Sequence, residues 1–393
     1  MRGGSAERVA DVPADGACGK GTRGGGGERA GLRQGERMRL VVAAGGTGGH
    51  IYPALAVAEA ALSRAAAEAI LFVGARRGLE GTLVPAHGFD IRLLPLERVR
   101  GMGIVRGARG LAGLGVSLPI AAHILREFRA DAVLGLGGYA SAPAMIAGAA
   151  LGLRTVLCEQ NTIPGTTNRV LAKMADNVCV SYSMSSAYFP AWKVVLTGNP
   201  VRAEVAAVRG RRASGRKEFR LLVLGGSQGA QFLNTAVAGA LADFVHRRPD
   251  VTVVHQSGEG RRAEAEAAYA GAPRVDVVEY VEDMAGLLEQ ASLVVGRAGA
   301  TTLAELSAVG VPALLVPFPF ATDNHQLFNA REMERAGAAV VFEQASFNED
   351  RLVDELERLR KDRAALEAME RASASMCIKD AATRVLDVAR GRA

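Results

Sequence analysis

Two apolar runs that each end in a cluster of glycines constrain this chain more than any other feature. Arg39-Leu-Val-Val-Ala-Ala leads into Gly45-Gly-Thr-Gly-Gly-His50, and Arg220-Leu-Leu-Val-Leu leads into Gly225-Gly-Ser-Gln-Gly229. A helix-like pattern follows each turn. A strand, a glycine turn and a helix in that order leave the first backbone N–H groups of the helix pointing outward, where the macrodipole favours negative charge. Such a corner binds phosphate. Two of them, far apart in the chain, predict two similar domains facing one another across a cleft.

Short apolar runs alternate with amphipathic stretches along the chain, the pattern of a parallel sheet covered on both faces. The first half predicts strands over Leu40–Ala44, Ile70–Val73, Ile91–Leu94, Ala132–Leu136, Thr155–Cys158 and Val178–Ser181. The second half repeats the scheme over Leu221–Leu224, Val251–His255, Val275–Glu279, Leu293–Val295, Ala313–Val316 and Ala339–Phe342. A helix is expected over Pro53–Ala66, with Pro53 in its first turn. At 393 residues, 49% of them hydrophobic and 22% charged, the chain can fill two cores. The expected division is a first domain at 38–199, a second at 200–365, and terminal helices at 366–393 that brace the first. Residues 1–37 are rich in Gly and Arg and poor in large apolar side chains, so they read as a disordered extension. An upstream mis-start and a functional tail both account for them, and the fold is expected to begin at Met38.

Neither turn is a dinucleotide fingerprint. A GxGxxG beginning at Gly46 needs glycine where Ile51 stands, and one beginning at Gly226 fails at Gln228. The run ending Val73-Gly-Ala-Arg-Arg77 lacks the acid that holds an NAD ribose, although Arg76 and Arg77 suit an NADP phosphate. No GxxxxGK[ST] is present, which argues against a P-loop nucleotidase, and without Asp-x-Asp a metal-bridged diphosphate lacks its usual ligands. Cys18, Cys158, Cys179 and Cys377 are scattered and read as reduced thiols of a cytosolic protein, with neither a disulfide framework nor a zinc site. No apolar stretch is long enough to span a bilayer, and no secretory h-region precedes the fold. The net charge of +6 suits an anionic partner, but no basic run or aromatic-plus-basic module indicates nucleic acid.

Further glycine-rich and polar blocks follow at the expected strand ends. They read Gly135-Leu-Gly-Gly-Tyr139, Glu159-Gln-Asn161, Gly198-Asn-Pro-Val-Arg202, His255-Gln-Ser-Gly258, Arg297-Ala-Gly-Ala-Thr-Thr-Leu-Ala-Glu305, and Pro317-Phe-Pro-Phe to Asp323-Asn-His-Gln326. Taken in order with the two turns, they resemble the bacterial cell-wall N-acetylglucosaminyltransferases. That family moves N-acetylglucosamine from its UDP donor onto lipid I, giving lipid II. The resemblance implies an α/β GT-B fold, two Rossmann-like doubly wound domains across a deep cleft, with the acceptor in the first and UDP-N-acetylglucosamine mainly in the second. It implies an inverting hexosyltransfer in peptidoglycan synthesis that uses no metal and no cofactor. It places the protein peripherally on the cytoplasmic face of the bacterial plasma (inner) membrane, beside a cell-wall synthesis complex.

By the same resemblance, Glu305 binds the ribose hydroxyls, Ala300, Thr301, Thr302, Leu303 and Ala304 meet the nucleotide along one helix start, and the Val281 backbone grips uracil. Arg202 contacts the diphosphate with fixed bidentate donors. Ser227 and Gln228 stand at the second turn for diphosphate or sugar, Gln326 reads the sugar hydroxyls with His325 beside it, and Asn161 touches the donor sugar. Cys158 stands where the family often has histidine, so the resemblance does not carry an acceptor or acid–base role over to it. Thr47, Gly48 and Gly49 count among the UDP-N-acetylglucosamine-binding residues and hold diphosphate, the acceptor's by preference, with Thr47 reaching the donor sugar. His50 is the expected catalytic base, kept neutral by its place at a helix N-terminus, although binding acceptor diphosphate or capping the turn is an alternative. Within Leu96–Leu125, Arg98, Arg100, Arg106 and Arg109 interleave with Ile104, Val105, Leu111, Leu114, Leu118 and Ile120. That mixture suits an anionic membrane surface and equally a core helix with a basic flank. Three other readings stay open: another GT-B enzyme such as a UDP-N-acetylglucosamine 2-epimerase, an NADP oxidoreductase, and a non-catalytic nucleotide sensor or membrane scaffold.

Overall fold

A computed structural model describes residues 37–96, 104–212, 218–226 and 229–392, with side chains from residue 113 onward in the second stretch. Residues 1–36, Ser227, Gln228, Arg98 and Arg100 therefore lie outside the described residues, as do the side chains of Ile104, Val105, Arg106, Arg109 and Leu111.

The apolar runs form two parallel sheets. The first contains β1 (Met38–Ala43), β2 (Ala67–Ala75), β3 (Asp90–Leu94), β4 (Ala132–Gly135), β5 (Arg154–Glu159), β6 (Asn177–Val180) and β7 (Val194–Leu196), in spatial order β3-β2-β1-β4-β5-β6-β7. The second contains β8 (Phe219–Leu224), β9 (Val251–Gln256), β10 (Val275–Val278), β11 (Leu293–Gly296), β12 (Ala313–Leu315) and β13 (Ala339–Val341), ordered β10-β9-β8-β11-β12-β13. Each sheet reverses its winding at its first strand. A ligand crevice opens beyond the carboxyl ends of the strands at such a switch point. Both glycine turns sit there, after β1 and after β8.

Along β1, Leu40 and Val42 join the core on one face while Val41 and Ala43 join the core on the other. That period-two division explains why the strands read as continuous apolar runs. The helix expected from Pro53 begins earlier, at Gly48, and runs to Ser63, so Pro53 lies inside it rather than in its first turn. The two poor helix formers at its start hide the boundary from a propensity reading.

The link between the sheets passes Gly198, where a β-carbon would lie 2.7 Å from Cβ of Ile378 and φ is +79°. The chain then returns across this link. Of the expected bracing segment 366–393, the helix Arg363–Ser375 puts Leu366 and Met369 into the second core, and only Ala381–Ala389 reaches the first, through Val385, Leu386 and Val388.

Candidate active site

The two switch-point turns face a shared cleft of about 820 Å³. From the first sheet come Thr47, Gly48, Gly49, His50, Tyr52 and Asn161, and from the second Val281, Ala300, Thr301, Thr302, Glu305, His325 and Gln326, with Arg202 on the link.

Thr47 precedes the helix Gly48–Ser63 in extended conformation, leaving Gly48 and Gly49 as the first helical residues. His50 follows one residue on, and its ring lies against the second glycine block, where a β-carbon on Gly138 would come within 3.4 Å of it. Pro53 has no N–H to offer the Gly49 carbonyl four residues back. The Thr301 hydroxyl donates to that carbonyl instead, at 3.0 Å, and so joins the two glycine-initiated helices across the cleft.

Arg202 and Glu305 meet in a forked pair. Arg202 Nε donates to Glu305 Oε1 at 2.7 Å, and Nη2 to Oε2 at 3.1 Å. The pair is largely withdrawn from solvent, with side-chain exposures of 12% and 8%. Burial pushes the Glu305 carboxyl above its ordinary value against the pull of Arg202. For Arg202, burial acts downward, but Glu305 outweighs it and the guanidinium stands above its ordinary value. The guanidinium carbon also stacks 4.8 Å from the ring centre of Tyr52, whose hydroxyl hydrogen-bonds the hydroxyl of Tyr280. Burial raises the Tyr52 phenol. These two tyrosines, one from each side of the cleft, were not singled out as site residues from sequence, since nothing local distinguishes them from core aromatics.

The helix Ala300–Val309 presents the expected nucleotide-contact residues unequally. Ala300, Thr301, Thr302 and Glu305 face the cleft, but Leu303 is packed in the second core and Ala304 lines a separate cavity behind the helix. At 100° per residue the two positions turn away, and the Leu303 N–H is already spent on the Gly299 carbonyl at 3.0 Å. Only the first-turn N–H groups are available to an anion.

Asn161 stands at the cleft wall with both ends of its amide engaged. Its Nδ2 donates to Glu159 Oε1 at 3.2 Å, and its Oδ1 accepts from Asn329 Nδ2 at 3.1 Å. Burial raises the Glu159 carboxyl despite the N–H groups of Asn161 and Asn168 that point at it. Gln326 Oε1 accepts the Phe318 N–H at 3.0 Å, and His325 Nδ1 lies 2.7 Å from the Thr322 carbonyl. Arg297 adds a cation that the sequence reading gave no role. It donates to the carbonyls of Val316 and Pro317 and to Gln344, between the rings of Phe232 and Phe318, and burial pulls it down to about 10. Among the described residues no cluster of His, Cys, Asp and Glu is placed to hold a metal ion.

The chain matches the glycosyltransferase family 28 N-terminal domain over residues 40–180 and the family 28 C-terminal domain over 220–385. It belongs to glycosyltransferase family 28. Among its relatives, the UDP-N-acetylglucosamine--N-acetylmuramyl-(pentapeptide) pyrophosphoryl-undecaprenol N-acetylglucosamine transferase of Syntrophus aciditrophicus is 39% identical over 89% of this chain and 97% of its own. The crystal structure of Acinetobacter baumannii MurG superposes with a TM-score of 0.72 at 28% identity, over 90% of this chain and 99% of the other. A UDP-GlcNAc 2-epimerase from Neisseria meningitidis, bound to UDP-GlcNAc, shares the GT-B fold at a TM-score of 0.65, over 89% of this chain and 99% of its own. At 13% identity that likeness extends to the fold alone.

Proposed function

We infer that the protein is an inverting N-acetylglucosaminyltransferase that moves N-acetylglucosamine from UDP-N-acetylglucosamine onto the N-acetylmuramoyl sugar of lipid I, giving lipid II for peptidoglycan. The observation that carries this reading is the 39% identity to a transferase of that name over nearly its whole length. The residues lining the cleft support this reading, since their chemistry suits the reaction. A hydroxyl of the acceptor sugar attacks the anomeric carbon from the face opposite UDP, the new C–O bond forms as the bond to the β-phosphate oxygen breaks, and the configuration inverts. His50 takes the hydroxyl proton. UDP leaves with its charge spread over the first-turn N–H groups of Ala300, Thr301 and Thr302 and the guanidinium of Arg202, while Glu305 accepts from the ribose and the Val281 backbone from uracil. Ser227, Gln228, Gln326 and Asn161 attend the diphosphate and donor sugar, and Thr47, Gly48 and Gly49 the acceptor diphosphate.

The lipid acceptor requires contact with an anionic membrane surface. No helix of the described residues is long and apolar enough to cross a membrane. Val116 and Ile120, one turn apart on the helix Ile104–Glu127, leave 56% and 37% of their surface exposed and support a peripheral contact.

The test is incubation of the purified full chain with labelled UDP-N-acetylglucosamine and a short-chain lipid I analogue. Labelled lipid II is expected. Appearance of UDP-N-acetylmannosamine instead would establish an epimerase, and donor binding with neither product would leave a nucleotide sensor.

A further inference from the structure

Glu80 is the first residue of the helix Glu80–Ala86 and is completely buried. Its Oε2 accepts the Gly46 N–H at 3.0 Å, and its Oε1 accepts the Ala75 N–H at 3.0 Å. One carboxylate thus ties the phosphate-binding turn after β1 to the end of β2. Three glycines make room for it. A β-carbon on Gly45 or on Gly78 would collide with the carboxylate, and one on Gly74 would lie 2.6 Å from Glu80 Cγ. Gly45 is wedged from the other side as well, since its β-carbon would meet that of Ala140 at 2.8 Å.

This geometry divides the turn in two. Gly45 and Gly46 are held from behind by an acid, and the Gly46 N–H is unavailable to any anion in the cleft. Thr47, Gly48 and Gly49 line the cleft, and the N–H groups of Gly48 and Gly49 belong to a first helical turn that has no internal acceptor for them. A substrate anion cannot use the whole glycine run.

We propose that Glu80 is a positioning residue for the transfer reaction, which locks the Gly45–Gly46 half of the turn so that the Thr47–Gly49 half presents its N–H groups to the acceptor diphosphate. It reaches the substrate only through the turn. The role rests on the transferase reading above, with the acceptor at the first domain.

The experiment is Glu80→Gln in the full chain, assayed beside the wild type for transfer to the lipid I analogue and for UDP affinity by calorimetry. Glutamine keeps the size but turns an N–H toward one of the two backbone donors. A misplaced turn lowers kcat/KM for the acceptor ~100-fold, with the rise concentrated in acceptor KM, while UDP binds within twofold of wild type. Folded fraction is followed by circular dichroism. Should the glutamine variant fail to fold, Glu80→Asp is used: it keeps the charge, retracts it by one methylene, and is expected to raise acceptor KM about tenfold. Equal acceptor kinetics per folded molecule in the variant that folds overturns the proposal, as does an equal loss of UDP affinity. Absence of transfer by the wild type overturns the transferase reading instead.

Discussion

The Thr301 hydroxyl donates to the Gly49 carbonyl at 3.0 Å, using the acceptor that Pro53 leaves vacant inside its own helix. A helix-breaking residue on one side of the cleft therefore creates a docking point for the other side. Thr301→Val removes the donor at constant volume and is expected to cost about 1 kcal/mol. In a Pro53→Ala background the alanine N–H can serve the same carbonyl, so the cost of Thr301→Val should shrink toward zero. Denaturant unfolding of the four proteins gives the coupling. Equal losses in both backgrounds would mean that the hydroxyl's contribution does not depend on the acceptor Pro53 leaves vacant.

Much of the fold was legible because both faces of each sheet are covered. Strands such as Leu40–Val42 and Leu221–Leu224 are apolar at every position, a signal that survives without an alignment. The strand Val194–Leu196 was missed: it is three residues long, lies at the sheet edge and leaves Leu196 43% exposed. The site was legible only where glycine announced it. Arg202 and Glu305 were each marked as ligand contacts, but their pairing spans 103 positions and no local pattern encodes it. Glu80 stands in the polar stretch Arg76-Arg-Gly-Leu-Glu80 and looks like a solvated acid. Its burial follows from Gly45, Gly74 and Gly78 converging from separate segments, which spacing alone does not reveal.

The Arg202–Glu305 pair separates stability from ligand binding. Glu305→Ala leaves a guanidinium buried without its carboxylate, a loss of about 3 kcal/mol in the absence of nucleotide. Replacing both partners by apolar residues, Arg202→Met with Glu305→Leu, removes the uncompensated charge and should recover most of that loss. UDP affinity, measured by calorimetry, should fall at least ~10-fold in both variants, since the double variant restores packing but neither the ribose acceptor nor the phosphate donor. Restored UDP binding in the double variant would show that the pair serves the fold alone.

His255 should set an acid limit on stability. It is fully buried near the end of β9, between the Tyr269 hydroxyl at 2.9 Å from Nδ1 and the Asn234 Oδ1 at 3.0 Å from Nε2. Burial pulls it down to about 4 from the ordinary 6.5. The unfolded chain therefore binds this proton at higher pH than the folded one. Its contribution to stability is complete above about 6.5 and is lost progressively as pH falls toward 4. The full shift corresponds to about 3 kcal/mol. His255→Gln should lower stability at neutral pH and flatten the fall between pH 6.5 and 4 in denaturant titrations. A slope unchanged by the substitution would assign the acid sensitivity elsewhere.

His50 is the sharpest kinetic test of the transfer mechanism. Its ring sits against Gly138 in the cleft, at the start of the helix that carries Gly48 and Gly49. If it takes the acceptor proton, His50→Ala lowers kcat by ~10²–10⁴-fold at saturating acceptor. UDP affinity should stay within twofold, because the nucleotide is proposed to lie on the second domain. If the imidazole instead serves the acceptor diphosphate, the same substitution raises acceptor KM and kcat recovers as acceptor is increased. A loss of kcat that persists at saturation fits a missing base.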